Sequence, residues 1–419
     1  MADAGSTWAG THHFGAAQFV AAQSIDEAVR AVAAGAATSA PVRALGTRHS
    51  FHDLADTRGT LVTLVDVPPN PVLDEDAHIV TAGAGVRYGV LAAWLQARGW
   101  ALANLGSLPH ISIAGATQTG THGSGVGNGN LATSVAALEF IDAAGSLVTV
   151  RRGEPDFLAL VIGLGAFGVI TRVTLDIEPT FLVQQDIFTG IAWDTLLADP
   201  DAILTAAYSV SVFTRWGEPT LEQIWVKSRL ERDPGTAPTW LGGTRLAGPT
   251  TLVDGDPADL TDQGTPGPWL ERLPHFRLDG TPSNGDEIQT EYFVARSDAS
   301  QALAAVRELA AVIDPVLMIT ELRTVAADDL WLSGARGRET LAIHFTWRNL
   351  PGPVKGVLPA IEAALAPFAP RPHWGKWHAF NAERIAAAYP LLPQARAVFE
   401  KRDPQGRFVN SHLTRLAVR

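Results

Sequence analysis

Up to Pro179 the hydrophobic and polar positions switch between two rhythms. A helical period runs through "IDEAVRAVAAG", opened by Ser24 with Glu27 three residues on, the pattern of a capping box. "PVRAL", "TLVTLVDV" and "HIVTAGAG" read as short buried strands, followed by a helix over "RYGVLAAWLQARG". "SVAALEFIDAAGSLVTV" predicts two strands joined by a bend at Ala-Gly-Ser. "EPDFLALVIGL" reads as a helix and "GVITRVTLDIEP" as an alternating strand.

Beyond Pro179 the texture changes. Residues 235–286 are rich in Gly, Pro, Thr and Asp and read as a long connection within a second domain. After it, "EYFVARS", "MITELRTV" and "ETLAIHFTW" alternate as strands, separated by the helical "DASQALAAVRELAAVI". This mix predicts an α+β domain with a mainly antiparallel sheet. No internal repeat and no low-complexity tract interrupts it.

A length of 419 residues is long for one core, so two domains are expected. The 46% hydrophobic and 18% charged content is that of a chain with a sizeable buried core. A formal charge of −11 without a basic block argues against a nucleic-acid partner. The absence of cysteine excludes disulfides, thiolate metal sites, iron–sulfur clusters and a cysteinyl bond to a cofactor. No signal-like or membrane-spanning apolar segment is evident, so the expectation is a cytoplasmic protein with no membrane partner.

Candidate chemistry gathers in four places. "GLGAFG", Gly163 to Gly168, matches a dinucleotide fingerprint by letter but follows a helical run and precedes a strand, so it reads as a tight turn. "RALGTRHSFHD" ends a strand at Gly46 and sets Arg48 beside His49, a histidine that on its own could be a surface residue, a metal ligand, a base or something rarer. A metal held by His49 and His52 is disfavoured because no well-spaced third ligand appears, and no metal is expected. "ANLGSLPHISIAGATQTGTHGSGVGNGN" offers bare backbone N–H groups and hydroxyls, a means of wrapping a diphosphate without lysine. Finally, alternation puts Glu321 and Arg323 on one strand face and His344 and Thr346 on one face of another. If those strands pair, they form a polar floor backed by Ile343, Phe345 and Trp347, with Lys376 following in "HWGKWHAF", read as an aromatic-rich strand.

Together these strings resemble the vanillyl-alcohol-oxidase type of FAD-linked oxidoreductases, and within them the alditol (xylitol) oxidases. "GTRHSF", "NLGSLPHISIAGATQTGTHGSG", "GAFGVIT", "ELRT", "HFTW", "HWGK" and "DPQGRFVN" run in order from Leu45 to Asn410. The resemblance implies an α+β, two-domain fold of the vanillyl-alcohol-oxidase/PCMH type, with residues 1–179 and 376–419 binding FAD and residues 180–375 inserted as a cap over the substrate. It also implies that His49 carries the flavin covalently through its 8α-methyl. The attacking imidazole must be neutral, and Arg48 is the expected cation that disfavours its protonated form. His52, three residues on, falls off the motif.

By the same resemblance, Ala44, Leu45, Gly46, Thr47, Arg48, His49 and Ser50, with Ser107, Ser112, Gly115, Thr119, Gly120, Thr121, His122, Ile170 and His373, would contact FAD. Ser107, Glu321, Arg323, Thr346 and Lys376 would meet the substrate, with His344 beside them. The implied reaction takes a terminal polyol hydroxyl (xylitol, sorbitol or glycerol type) to the aldehyde by hydride transfer to the flavin, with O₂ reduced to H₂O₂. Glu321 suits a vicinal hydroxyl, and Arg323 and Lys376 suit the developing alkoxide. The proton acceptor stays open between a neutral Lys376, His344 and water. Gly106, before Ser107, stands where related enzymes carry a small residue controlling access of O₂. The alternatives are a sugar-1,4-lactone oxidase of the same flavin class and a flavin-free polyol-binding protein. A polyol and O₂ are the expected partners of what is taken to be a monomer.

Overall fold

The computed structural model describes the chain apart from residues 1–3, 39, 234, 236, 238, 249, 253–255 and 281–284. Three short strands, β1 (Gln18–Ala21), β2 (Val42–Leu45) and β3 (Thr60–Thr63), pair in parallel in the order β1-β3-β2. The first helix, Ile25–Thr38, joins β1 to β2 and packs its apolar face on this sheet through Ala28 and Val32. Its start is capped as the sequence suggests: Glu27 N–H donates to Ser24 Oγ at 3.2 Å, while the Glu27 carboxylate accepts from Gln23 N–H one residue further out.

A five-stranded antiparallel sheet follows, built from β4 (Val72–Asp74), β5 (Ile79–Gly83), β7 (Val135–Ile141), β8 (Leu147–Arg151) and β9 (Val169–Asp176) in the order β4-β5-β9-β7-β8. β6 (Trp100–Ala101) pairs with β10 (Glu178–Pro179) beside it. The alternation of β9 is visible in its burial, with Val173 and Leu175 inside and Arg172 and Thr174 turned outward. The helix expected over "EPDFLALVIGL" is only Phe157–Leu160, because the glycine-bearing turn that follows must already swing back toward β9. Leu164 and Gly165 both take positive φ there. The carbonyls of Leu164 and Gly165 accept from the buried guanidinium of Arg43 at 2.8 and 2.7 Å, so "GLGAFG" is a turn that clasps an arginine.

After Pro179 the chain enters a ten-stranded antiparallel sheet. Its members are β11 (Leu182–Thr189), β12 (Ser209–Thr214), β13 (Gln223–Arg229), β14 (Thr239–Trp240), β15 (Gly243–Arg245), β16 (Pro266–Pro268), β17 (Glu287–Ala295), β18 (Leu317–Val325), β19 (Thr340–Arg348) and β20 (Arg371–Pro372). The order is β14-β15-β11-β13-β12-β18-β19-β17-β20, with β16 added against β11. Parts of the connection over 235–286 lie outside the described residues; the rest contains β14, β15 and β16. Helices including Ala299–Arg307 and Pro351–Leu365 cover one sheet face, over a layer in which Phe345 stacks on Trp347 at 5.1 Å and Trp216 on Phe345 at 5.7 Å.

"HWGKWHAF" is not a strand. Residues 374–376 form a turn after β20, and Trp377 alone bridges back to Thr290. The aromatic spacing mimics a strand, but Trp374 is buried against Tyr389 with its indole N–H donating to Leu332 O at 2.7 Å. The C-terminal helices then return to the N-terminal half. Asn410 Nδ2 donates to the carbonyls of Asp53, Leu54 and Asp56, and Arg402 pairs with Asp156 at 2.5 Å.

Candidate active site

A cavity of about 910 Å³ opens between the N-terminal half and the face of the large sheet turned toward it. It is at the upper end of the ~300–1,000 Å³ typical of small-molecule sites. One wall is the loop from Ala44 to Ser50 that leaves β2. Gly46 is required there by close approach: a Cβ would lie 2.7 Å from Ser112 Oγ. Ser112 N–H donates to Thr47 Oγ1 at 3.2 Å, tying this loop to the Ser107–His122 segment. Arg48 takes φ 68°, and among the described residues none accepts a hydrogen bond from the backbone N–H of Thr47, Arg48, His49 or Ser50. Such a run of free N–H groups suits a bound anion such as a diphosphate.

The His49 imidazole lies 5.1 Å from the Trp8 ring and faces the cavity. Burial, and then the neighbouring His110 and Arg87, lower it to about 4, so it is neutral at physiological pH. Arg48 is not the cause expected from the sequence. Its left-handed backbone directs the guanidinium to the ring of Phe19, 5.9 Å away. His52 borders the same cavity but its ring is engaged: its Nδ1 accepts from Leu54 N–H, its Nε2 meets Trp374 O at 3.0 Å, and its ring stacks on His412. His52, Asp53 and His412 approach one another as metal ligands could, but Arg415 already pairs with Asp53 at 2.8 Å.

The floor is the face of β17, β18 and β19 that is turned toward the cavity. Strand register sets Glu321 opposite His344 and His344 opposite Glu291, a row across three strands, with Arg323 two positions along β18. Arg323 donates to Glu291 at 2.8 Å and to Ser107 Oγ at 3.3 Å, and its Nε lies 3.5 Å from Glu321. Lys376 Nζ lies 2.7 Å from His344 Nδ1, 2.9 Å from Gln289 Oε1 and 3.3 Å from Glu291 Oε2. Lys376 donates to Nδ1, so His344 carries its hydrogen on Nε2 and gives it to Thr346 Oγ1 at 3.2 Å. The turn bearing Lys376 is fixed to the His49 loop, since Phe51 N–H donates to Gly375 O and Trp377 Nε1 to Phe51 O.

Burial alone would raise both carboxyls. The surrounding groups overturn it: Arg323 and the hydrogen bond from His275 hold Glu321 well below the usual carboxylate range, and Lys376, the adjacent His122 and Arg323 do the same for Glu291. Burial lowers Lys376, with Arg323 adding to it and Glu291 opposing, while burial and then Lys376 bring His344 to about 4. Glu291 Oε2 and Arg323 Nε are buried and, among the described residues, make ion-pair contacts only, Oε2 with Lys376 at 3.3 Å and Nε with Glu321 at 3.5 Å.

Every site residue named from the sequence lines this cavity except Gly120, which sits in the turn behind it with φ 68°. Two central residues were not named. Glu291 bonds His122 at 3.0 Å and Arg323, and His275, from the glycine- and proline-rich connection, donates Nε2–H to Glu321 at 2.7 Å. The alternation of "EYFVARS" carried a signal for Glu291, but none pointed to His275.

Comparison with known proteins adds three findings. Residues 16–151 match a family model described as an FAD binding domain, and residues 286–416 one described as D-arabinono-1,4-lactone oxidase. The chain is 43% identical over 417 residues to an alditol oxidase of a Streptomyces species, covering 99% of both chains. It is 28% identical over 98% of both chains to an L-gulono-1,4-lactone dehydrogenase of Mycobacterium tuberculosis. Among solved structures, a cholesterol oxidase of Brevibacterium sterolicum shares the fold, with a TM-score of 0.79 at 15% identity over 98% of this chain and 96% of the other.

Proposed function

Because the chain belongs to the alditol oxidases of the vanillyl-alcohol-oxidase-type FAD-linked family, we propose that it oxidises the terminal C1 hydroxyl of a polyol to the aldehyde. The observation that carries this reading is the pair of buried carboxylates, Glu321 and Glu291, bridged by Arg323 on the floor of the cavity that the His49 loop walls. We take residues 1–179 with the C-terminal segment from 376 as the cofactor-binding body, and 180–375 as the cap.

The Ala44–Ser50 loop, Ser112, Gly115 and the Thr119–His122 turn would hold FAD, with His49 as its covalent anchor. The chemistry FAD supplies when bound is acceptance of a hydride from the substrate carbon, with O₂ as final oxidant and H₂O₂ as product. Glu321 accepts a hydrogen bond from the hydroxyl beside the reacting carbon. Arg323 and Lys376 face the reacting oxygen and stabilise charge as its proton leaves. Lys376, already hydrogen-bonded to His344 Nδ1, holds that oxygen in line, and Ser107 and Thr346 take further hydroxyls. Cation and carboxylate are both preorganised by the sheet, so little reorganisation accompanies binding.

Xylitol should outperform 1-butanol by ~10⁴ in kcat/KM, since a simple alcohol leaves the buried polar groups unpaired. Glu321→Gln should narrow that gap by ~1.5–3 kcal/mol, mostly through lost polyol activity. Peroxide release with xylitol, sorbitol, 1-butanol and a gulono-1,4-lactone checks this. Preference for the lactone would favour the second reading, which the lactone-oxidase match over residues 286–416 supports. A colourless purified protein would remove both.

Gly106 lines the same cavity, and a Cβ built on it meets Thr121, His122 O and Ile111 at ordinary contact distances of 3.6–3.7 Å. Gly106→Val is therefore expected to fold and to fill space beside Ser107. Reoxidation by O₂ should slow more than anaerobic reduction by polyol, and unchanged reoxidation in stopped flow would remove Gly106 as an oxygen gate.

A further inference from the structure

Behind Glu321 lies a buried pair that the reaction outlined above does not use. Lys227 of β13 is 1% exposed, and its Nζ meets Leu273 O at 2.6 Å, Pro274 O at 3.1 Å and His275 Nδ1 at 3.0 Å. Three acceptors match the three N–H donors of an ammonium. Two of them are carbonyls, which only accept, so the third N–H goes to His275 Nδ1 and that nitrogen carries no hydrogen. His275 then holds its hydrogen on Nε2, the atom 2.7 Å from Glu321 Oε1. The chain of donors runs one way: Lys227 to His275 to Glu321.

We propose that Lys227 is a positioning residue for the substrate-binding carboxylate: its ammonium fixes His275 as the Nε2–H tautomer, and that tautomer pins Glu321 with its second oxygen left for the substrate. The proposal rests on Glu321 being a substrate contact. If Lys227 loses its proton, the amine has two N–H groups and a lone pair against three acceptors. Neither carbonyl can supply a hydrogen. Only His275 can, by carrying its hydrogen on Nδ1, which leaves a bare Nε2 facing the Glu321 carboxylate. The bond that pins Glu321 is then lost. No net charge leaves the imidazole; one proton leaves Lys227 for solvent and one changes nitrogen.

The groups that face Lys227 set where this happens. Its strand neighbours Gln185 and Ser209 are uncharged. Burial lowers the ammonium to about 7, with Glu321 opposing and Arg323 adding, and the Trp225 ring lies 5.6 Å from Nζ. The pinned form therefore holds below neutral pH and is lost above it.

The test uses FAD-loaded full-length enzyme carrying ¹⁵N-histidine, with the His275 signals assigned by their loss in His275→Gln. The expected result is an Nε2–H tautomer at low pH that switches with a midpoint near neutrality, and no such switch in Lys227→Met. In parallel, KM for xylitol should rise about tenfold from mildly acidic to mildly alkaline pH, the factor for one modest hydrogen bond. Lys227→Met presents no amine lone pair to draw a hydrogen to Nδ1, so His275 keeps Nε2–H toward Glu321 and KM should stay low and flat with pH. His275→Gln keeps an N–H donor toward Glu321 without titrating and should hold KM low and flat, which decides the matter if Lys227→Met does not fold. A His275 tautomer that ignores pH, or that still switches in Lys227→Met, overturns the proposal. A tautomer switch with an unchanged KM overturns instead the assignment of Glu321 to the substrate.

Discussion

Glu291→Gln is expected to slow flavin reduction by xylitol by ~10²-fold or more while leaving the protein folded and coloured. The carboxylate sits where four nitrogens converge: Arg323 at 2.8 Å, His122 at 3.0 Å, Lys376 at 3.3 Å and His344 at 3.5 Å. The amide keeps the shape but not the charge, and its NH₂ is a donor turned on other donors. Two charge-assisted bonds weaken, at ~1.5–3 kcal/mol each, and ~2.7 kcal/mol on the barrier is a hundredfold in rate. Lys376 suffers further, because Glu291, ahead of Glu321, opposes the lowering of its ammonium by burial and by Arg323. With that support gone, less cation faces the reacting oxygen at neutral pH. The Glu291 carboxyl is held well below its ordinary value, so its contribution to stability is complete above the unfolded carboxylate range and is lost only as pH falls through the lower folded value. The glutamine variant should therefore show a weaker loss of stability at acid pH than the wild type. Anaerobic stopped flow measures the rate, and a reduction rate within twofold of wild type would return Glu291 to a purely structural part.

The floor was legible because a strand period of two is read directly from sequence: Glu321 with Arg323 and His344 with Thr346 each share a face, and the register pairs them. The same rule applied to "EYFVARS" sets Glu291 opposite the apolar Tyr292 and Val294, but only the pairing of Glu291 with His344 shows that it joins the same floor. Register between strands separated by a long insertion is a tertiary fact. No sequence signal singles out Lys227 of "QIWVKSR", and His275 stands in a segment with no period at all. Their meeting depends on how residues 273–275 fold against β13. Two other departures share a cause. Chain neighbours need not be spatial neighbours, so Arg48 leaves His49 once its φ turns positive, and aromatic spacing in "HWGKWHAF" marks buried rings in a turn.

The His49→Ala variant should lose all flavin on denaturation, whereas denatured wild-type protein on a gel should keep its yellow fluorescence. His49 faces the cavity from the loop whose free backbone N–H groups suit a diphosphate, and among the described residues its ring makes no hydrogen bond that would occupy a nitrogen. A histidine joins a carbon electrophile only through an unprotonated nitrogen. Burial, with His110 and Arg87, places this imidazole at about 4 against 6.5 for an ordinary one. The fraction of neutral imidazole is then nearly constant from mildly acidic to neutral pH. Incorporation of FAD into apoprotein should accordingly proceed at an even rate between pH 5 and 8, judged by acid-precipitable flavin, instead of falling below the usual histidine range. Arg87→Met removes the permanent positive charge acting on His49 and should let its proton affinity rise, so incorporation should begin to fall at a higher pH than in the wild type. Flavin that survives denaturation in His49→Ala would assign the bond elsewhere. His52 would be a poor substitute although it borders the cavity, because both its nitrogens are engaged, by Leu54 N–H and by Trp374 O, and its ring is stacked against His412.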